Sequence, residues 1–181
     1  MTHTRCRWCN LNNPIYIAYH DNEWGIVQYD DQVLFELLVL ETFQAGLSWE
    51  TILNKRHNFR IAFDRFDPCV IQHYDEDKAQ SLMDNPGIVR NRRKIEATIT
   101  NARVFLEIQK KWGSFSTYIW HFTEGRTIFE TGKTHSELSD AISKDLKRRG
   151  MKFVGTTIIY SYLQAIGVLY SHEPSCYLFR T

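Results

Sequence analysis

At 181 residues, 43% hydrophobic and 24% charged, the chain has the composition of one globular unit, long enough to bury a core without disulfides. A net charge of +1, from 22 basic and 21 acidic side chains, excludes a global field that would by itself attract nucleic acid. No apolar run reaches bilayer-spanning length and the polar opening "MTHTRCRWCN" lacks a signal-peptide core, so an intracellular, cytoplasmic protein with no membrane partner is expected.

With four Pro, nine Gly and no low-complexity tract, nothing marks a linker, and a single domain over 1–181 is expected. Helical periodicity dominates, predicting helices near 31–44, 47–56, 75–84, 88–110, 115–121, 136–149 and 155–167. In "LFELLVLETFQAGLSW" (34–49), helical spacing sets Leu34, Leu37, Leu38 and Glu41 on one face. Glu41 thus points toward the core, whereas Glu36 falls on the opposite, solvated side. Ser48 in "SWET" fits an N-cap. Along 88–110, Ile88, Ile95, Ile99, Ala102, Leu106 and Gln109 mark a mostly apolar face, with Arg92, Glu96 and Arg103 off it. The segment "GRTIFETG" (125–132) reads as a loop or a short strand, and Gly150 and Gly167 fit helix stops. The expected fold class is all-α.

In an intracellular chain a disulfide framework is not expected, so the cysteines serve either a metal or packing. "SHEPSC" places His172 and Cys176 four apart near the C-terminus, and "RCRWC" with "YHDNEW" places Cys6, Cys9 and His20 near the N-terminus. Two thiolates and two imidazoles suit tetrahedral zinc, and a site drawn from both ends would tie the termini together. Cys6 and Cys9 also form a C-x-x-C, but the strand-rich context of redox chemistry is absent.

"LKRRGMKFVGTTIIYSYLQAIG" (146–167) reads as helix, tight turn, helix, ended by Gly150 and restarted after Val154-Gly155, with Thr156 or Thr157 available to cap. Backbone N–H groups freed at such a turn bind a phosphate oxygen, and Lys147, Arg148, Arg149 and Lys152 surround it with positive charge. An ordinary helical hairpin with a solvated first helix is the plainer alternative. "GIVRNRRKIEATI" (87–99) repeats the pattern, with cations in the first turns of a helix where they oppose its dipole. An anionic partner would explain that inversion.

Around Glu41 the sequence supplies Trp8, Tyr16, Tyr19, Trp24 and Trp49, in a chain with five tryptophans. Aromatic walls with one buried carboxylate suit a flat, electron-poor, cationic ring, and burial should raise the pKa of that carboxylate. The competing reading makes Glu41 a helix cap and the aromatics core.

The stretches "IYIAYHDNEWG", "LFELLVLETFQAGLSW", "GIVRNRRKI" and "LKRRGMKFVGTT" closely resemble the DNA-3-methyladenine glycosylase I family of the helix-hairpin-helix glycosylases, over about residues 5 to 176. The resemblance implies a structural zinc on Cys6, His20, His172 and Cys176, with Cys9 as a second thiolate that leaves the set slightly ambiguous. It places the base-recognising, catalytic glutamate on Glu41 and the pocket walls on Trp8, Tyr16, Tyr19 and Trp49, with Trp24 nearby. Gly46 and Leu47 match the loop that enters the gap in the duplex. Segment 146–167 matches the phosphate-binding hairpin, with Arg149, Gly150, Lys152 and Gly155 on DNA. Thr42-Phe43 depart from the family's more polar pattern.

The implied activity is hydrolytic release of 3-methyladenine from double-stranded alkylated DNA by a monomer, leaving an abasic site and the free base. Bifunctional relatives place a Schiff-base lysine just after the hairpin glycine; here Thr156 and Thr157 stand there. The aspartate that many of those relatives carry about twenty residues on is also missing from "GVLYSHEPSC", so strand cleavage is not expected. Two other readings compete: a zinc-stapled helical module that binds DNA or a cationic ligand without chemistry, and a purely structural helical protein.

Overall fold

The computed structural model describes residues 3–180, most of them helical. Helices α1 (Pro14–Asn22), α2 (Asp31–Gln44), α3 (Trp49–Ala62), α4 (Pro68–Ile71), α5 (Glu76–Asp84), α6 (Arg92–Trp112), α7 (Phe115–His121), α8 (Glu137–Arg148) and α9 (Thr156–Ala165) follow in chain order. Strands β1 (Ile128–Phe129) and β2 (Leu169–Tyr170) pair in parallel, with Ile128 opposite Leu169. The segment 125–132 therefore contains a short strand.

From α1 to α8, every helix starts behind an Asn, Asp or Ser whose side chain accepts from its first-turn amides. Such caps are each worth ~1 kcal/mol. The start of α9 differs. Its N-cap is Gly155, with no side-chain cap bond. The expected threonine cap is not made: Thr156 Oγ1 instead donates to Asp140 Oδ1 at 2.5 Å, linking α9 to α8.

Helix α2 is the central element, packed by α3, α6, α7 and α9. Its residues from Leu34 to Phe43 are all buried. Phe35 meets Phe105, which stacks on Phe115, while Phe43 meets Phe59 and Phe63. Burying each such ring contributes about 1.5–3 kcal/mol. Thr42 and Phe43 are thus core residues, Thr42 Oγ1 donating back to Leu38 O at 3.0 Å. Asp31, in the first turn of α2, accepts from Phe115 N and Ser116 N at 2.7 Å and so satisfies the start of α7.

Several expectations change. Glu36 is buried, not solvated, because α3 brings Arg56 and Arg60 over it at 2.5 and 2.8 Å. The first helix, α1, and the short α4 were not foreseen, and α3 runs on to Ala62. Helix α6 begins behind Asn91 rather than at Gly87. Two of its first-turn cations have partners within the protein: Arg92 pairs with Glu76 and Glu96. Buried Lys94 donates to Phe43 O at 2.8 Å and Ala45 O at 2.6 Å, completing the C-terminus of α2. Those two charges need no external anion.

Gly167 ends the α9 segment at φ +76°, and a Cβ there would lie 2.5 Å from Ile26 C and Val27 N. That close approach lets segment 25–28 run beside α9, with Gly25 N bonded to Gln164 O and Gln28 N to Ile166 O. Among the described residues, no helix is long and apolar enough to cross a membrane.

Candidate functional site

Helix α1 positions much of the site. Asn13 caps it, Pro14 opens it, and the helical repeat sets Tyr16, Tyr19 and His20 on its buried face. Tyr16 and Tyr19 face a cavity of about 370 Å³, whose walls also include Trp8, Trp24, Glu41 and Trp49. All six residues expected around the base pocket therefore come together, from the N-terminal segment, α1 and the turn that follows it, α2 and α3. Trp8 lies 5.4 Å from Tyr16 and 4.8 Å from Trp24, and Tyr19 lies 5.3 Å from Trp49, ring centre to ring centre. The volume falls in the range of small-molecule sites.

Glu41 sits in this cavity in the last turns of α2, 3% exposed. Its Oε2 makes no hydrogen bond among the described residues, and the indole Nε1 of Trp49 is likewise buried and unpartnered. Burial, with no compensating cation, pushes the Glu41 carboxyl up to about 8. The Tyr19 phenol is held far above its ordinary range, first by its own burial and then by the Glu41 charge. An orphaned carboxylate under aromatic faces is unfavourable in isolation and favourable once a cation arrives with N–H donors.

Next to the cavity, Cys6, His20, His172 and Cys176 are all buried, with ligand atoms within 4.8 Å of one another. His172 Nδ1 is 3.5 Å from both Cys6 Sγ and Cys176 Sγ, and His20 Nε2 is 3.5 Å from Cys176 Sγ. A tetrahedral zinc with its usual bond lengths has sulfur–nitrogen edges of about 3.5 Å. The donor set and its spacing therefore fit that ion. Cys9 is not in the cluster; its Sγ donates to Tyr16 O at 3.8 Å. His20 Nδ1 contacts Asp21 Oδ1 at 2.8 Å, and Asp21 is clamped by Arg5, an outer shell that fixes the ring. Without a cation, burial pushes the Cys6 thiol up to about 12 and the His172 imidazole down to about 4.

The sequence matches the methyladenine glycosylase family over residues 8–180. The chain belongs to that family. It is 45% identical to DNA-3-methyladenine glycosylase 1 of Escherichia coli strain K12, covering 95% of each chain. It also resembles the crystal structure of a 3-methyladenine DNA glycosylase I at TM-score 0.93 and 44% identity, covering 98% of this chain and 100% of that one. A variant of 3-methyladenine DNA glycosylase I in complex with 3-methyladenine resembles it at TM-score 0.90 and 34% identity, covering 97% and 99%.

Within this family fold, the residues expected on DNA lie in two places. Gly46, at φ +80°, and Leu47, 41% exposed, occupy the turn between α2 and α3 at the cavity's side of the molecule. Arg149, Gly150, Lys152 and Gly155 lie in the α8–α9 connection. Arg149 is committed to Asp145 at 2.6 Å and lies over the Tyr118 ring, and Gly150 N already donates to Lys147 O. Asn101 of α6 bonds both backbone groups of Lys152, holding the turn. Donors there include the exposed Lys152 side chain and the uncapped first-turn amides of α9 behind Gly155.

Gln44, Lys133, Ser161, Gln164, Ser171 and Glu173 also line the cavity and were missed from sequence. Ser161 and Gln164, three apart on α9, carried a helical-face signal. Lys133 lies in a loop, where no pattern points anywhere.

Proposed function

We propose that this protein is a DNA-3-methyladenine glycosylase, releasing 3-methyladenine from double-stranded alkylated DNA and leaving an abasic site. The observation that carries this reading is the unpartnered Glu41 carboxyl in an aromatic cavity, within a chain of the methyladenine glycosylase family. Methylation at N3 gives the base a fixed positive charge and weakens its bond to C1′. The flipped base enters between the aromatic walls, stacking on Trp49 and Tyr19, while Glu41 accepts its N–H donors and balances its charge. The bond electrons pass to the base, which leaves neutral; water adds to C1′ and loses a proton. Glu41 stabilises positive charge during that step without having to transfer a proton.

Segment 146–167 acts as the helix-hairpin-helix, its free α9 amides and Lys152 taking a phosphate, independent of sequence. Leu47 fills the gap left by the flipped base. Cys6, His20, His172 and Cys176 hold one zinc. With every ligand position filled by protein, such an ion would supply structure and would leave no position for a catalytic water. The enzyme acts as a monomer in the cytoplasm.

Because Thr156 and Thr157 stand where a Schiff-base lysine would be, the enzyme is monofunctional. Borohydride with an abasic duplex should trap no covalent adduct. Methylated duplex DNA should release 3-methyladenine far in excess of 7-methylguanine, and hypoxanthine should not be released from inosine-containing duplex. Absence of all base release from a folded preparation would leave a binding module without catalysis. Trp49→Ala should weaken free 3-methyladenine binding by roughly 1–3 kcal/mol, the range for one base–aromatic stack, read from a titration.

A further inference from the structure

Helix α6 reaches both of the turns expected on DNA. Its side chains Lys94 and Asn101, 5% and 1% exposed, lie on one buried face about two helical turns apart, roughly 10 Å along the axis. Lys94 Nζ donates to Phe43 O at 2.8 Å and Ala45 O at 2.6 Å, where α2 gives way to the turn of Gly46 and Leu47. Asn101 Nδ2 donates to Lys152 O at 3.0 Å, and its Oδ1 accepts from Lys152 N at 2.8 Å, in the α8–α9 connection. Each turn includes a residue in the left-handed region, Gly46 at φ +80° and Phe153 at φ +54°, and each presents an exposed apolar side chain, Leu47 and Phe153. Beyond α2, whose Gln44 O accepts from Leu47 N at 2.7 Å, only α6 hydrogen-bonds Ala45, Gly46 or Leu47 among the described residues. Arg93 and Lys152, both exposed, line one hollow between the start of α6 and the α8–α9 connection; Glu96 lines it too, its carboxylate paired with Arg92.

We infer that α6 is a splint between the two DNA-contacting turns, with Lys94 and Asn101 as its positioning residues. This rests on the glycosylase reading, in which Leu47 enters the gap in the duplex while the α8–α9 connection holds a phosphate. Gap and phosphate belong to one duplex, so the two turns must present themselves at a set spacing. A single straight helix bonded to the backbone of both supplies it. Satisfying the last carbonyls of α2 would not by itself call for a buried lysine, because water or a glycine cap does that without taking an ammonium out of water. The lysine adds a fixed tie from the turn to another element. Neither Lys94 nor Asn101 lines the cavity of Glu41. Loosening either tie should therefore leave the base pocket intact while the turns lose their register on the duplex.

The test sets free-base binding, read from quenching of tryptophan fluorescence, beside release of 3-methyladenine from methylated duplex, both well below each variant's melting point. Lys94→Met keeps the length of the side chain and removes its donors; Asn101→Ala removes the other tie. Each should lower kcat/KM on duplex by roughly ten- to a hundredfold, the scale of an ångström-level misplacement. Affinity for free 3-methyladenine should stay within about twofold of the parent, the spread expected between sites that do not interact. A splint fails when either end is free, so the double variant should be no more than about threefold worse than the poorer single one. Separate local supports would multiply their losses instead, and that result overturns the inference. So does a parallel fall in free-base affinity, which marks a general loss of structure. Should Lys94→Met not fold, Asn101→Ala decides alone: unchanged release from duplex overturns the inference. Failure of the parent protein to bind 3-methyladenine or release it from DNA would instead sink the glycosylase reading.

Discussion

Glu41→Gln is expected to raise the melting temperature while removing recognition of a cationic base. Burial lifts the Glu41 carboxyl from its ordinary 4.5 to about 8, so folding opposes its ionisation. A carboxyl raised in the folded state contributes stability that is fully present below 4.5 and lost as pH rises through about 8. The loss runs at about 1.4 kcal/mol per pH unit, or ~3 kcal/mol by pH 7. Gln keeps the shape and never ionises. Its advantage should therefore be near zero at pH 4.5 and grow toward pH 8, reaching ~6–12 °C at neutral pH for a chain of this size. Melts across that pH range check the slope; parallel curves for the two proteins would mean Glu41 is not held in a desolvated site.

The same shift sets the pH profile of recognition. A fixed cation binds the ionised carboxylate, whose population in the free protein rises up to about pH 8. Affinity for the flipped methylated base should climb toward that pH and then level off, and in Glu41→Gln it should be low and flat. Under the proposed function, stability is given up where the cationic base is to be held, which would account for a carboxylate on a face otherwise made of leucine.

Much of this site was legible because its residues lie on regular helices. Periodicity alone turned Glu41 inward, and the apolar repeat of 31–44 located α2 to the residue. The same rule failed for Glu36, since a two-sided assignment assumes a helix with one face in water. α2 is surrounded, and only tertiary packing brings Arg56 and Arg60 to its far side. Helix α1 carried its own signals in Asn13 and Pro14, but its aromatic, weakly amphipathic sequence hid the period. The cations at 92 and 94 misled in a different way. Local electrostatics on α6 could not reveal that Lys94 completes the end of a helix fifty residues earlier. Ser171, Lys133 and Glu130 lie in or beside two-residue strands and loops, where no repeat exists to point a side chain anywhere.

Purified protein is expected to contain about one zinc per chain, and Cys176→Ser to lose it along with a large part of the stability. The cluster joins Cys6 to His172 and Cys176 across nearly the whole chain, Cys6 and His172 being 166 positions apart. Terminal segments of this kind have little core of their own; Leu11, Tyr177 and Phe179 are exposed. Removing one thiolate should therefore lower the melting temperature by more than 10 °C, taking a loss of several kcal/mol as the scale of a structural site. Cys9→Ser should keep the metal, because the Cys9 thiol faces Tyr16 O and lies outside the cluster. Catalysis should respond far less than stability: well below its melting point, Cys176→Ser should retain activity within about tenfold, since a zinc held by four protein ligands would have no open position to serve the reaction. Some loss is still expected. Trp8 lies two residues past Cys6, Tyr19 immediately precedes His20, and Ser171 and Glu173 flank His172, so four cavity-lining residues are attached to the ligands themselves. Elemental analysis beside thermal melts of the two serine variants decides the matter. A folded, active preparation without zinc, or a Cys176→Ser protein as stable as the parent, would return Cys6, His20, His172 and Cys176 to ordinary packing.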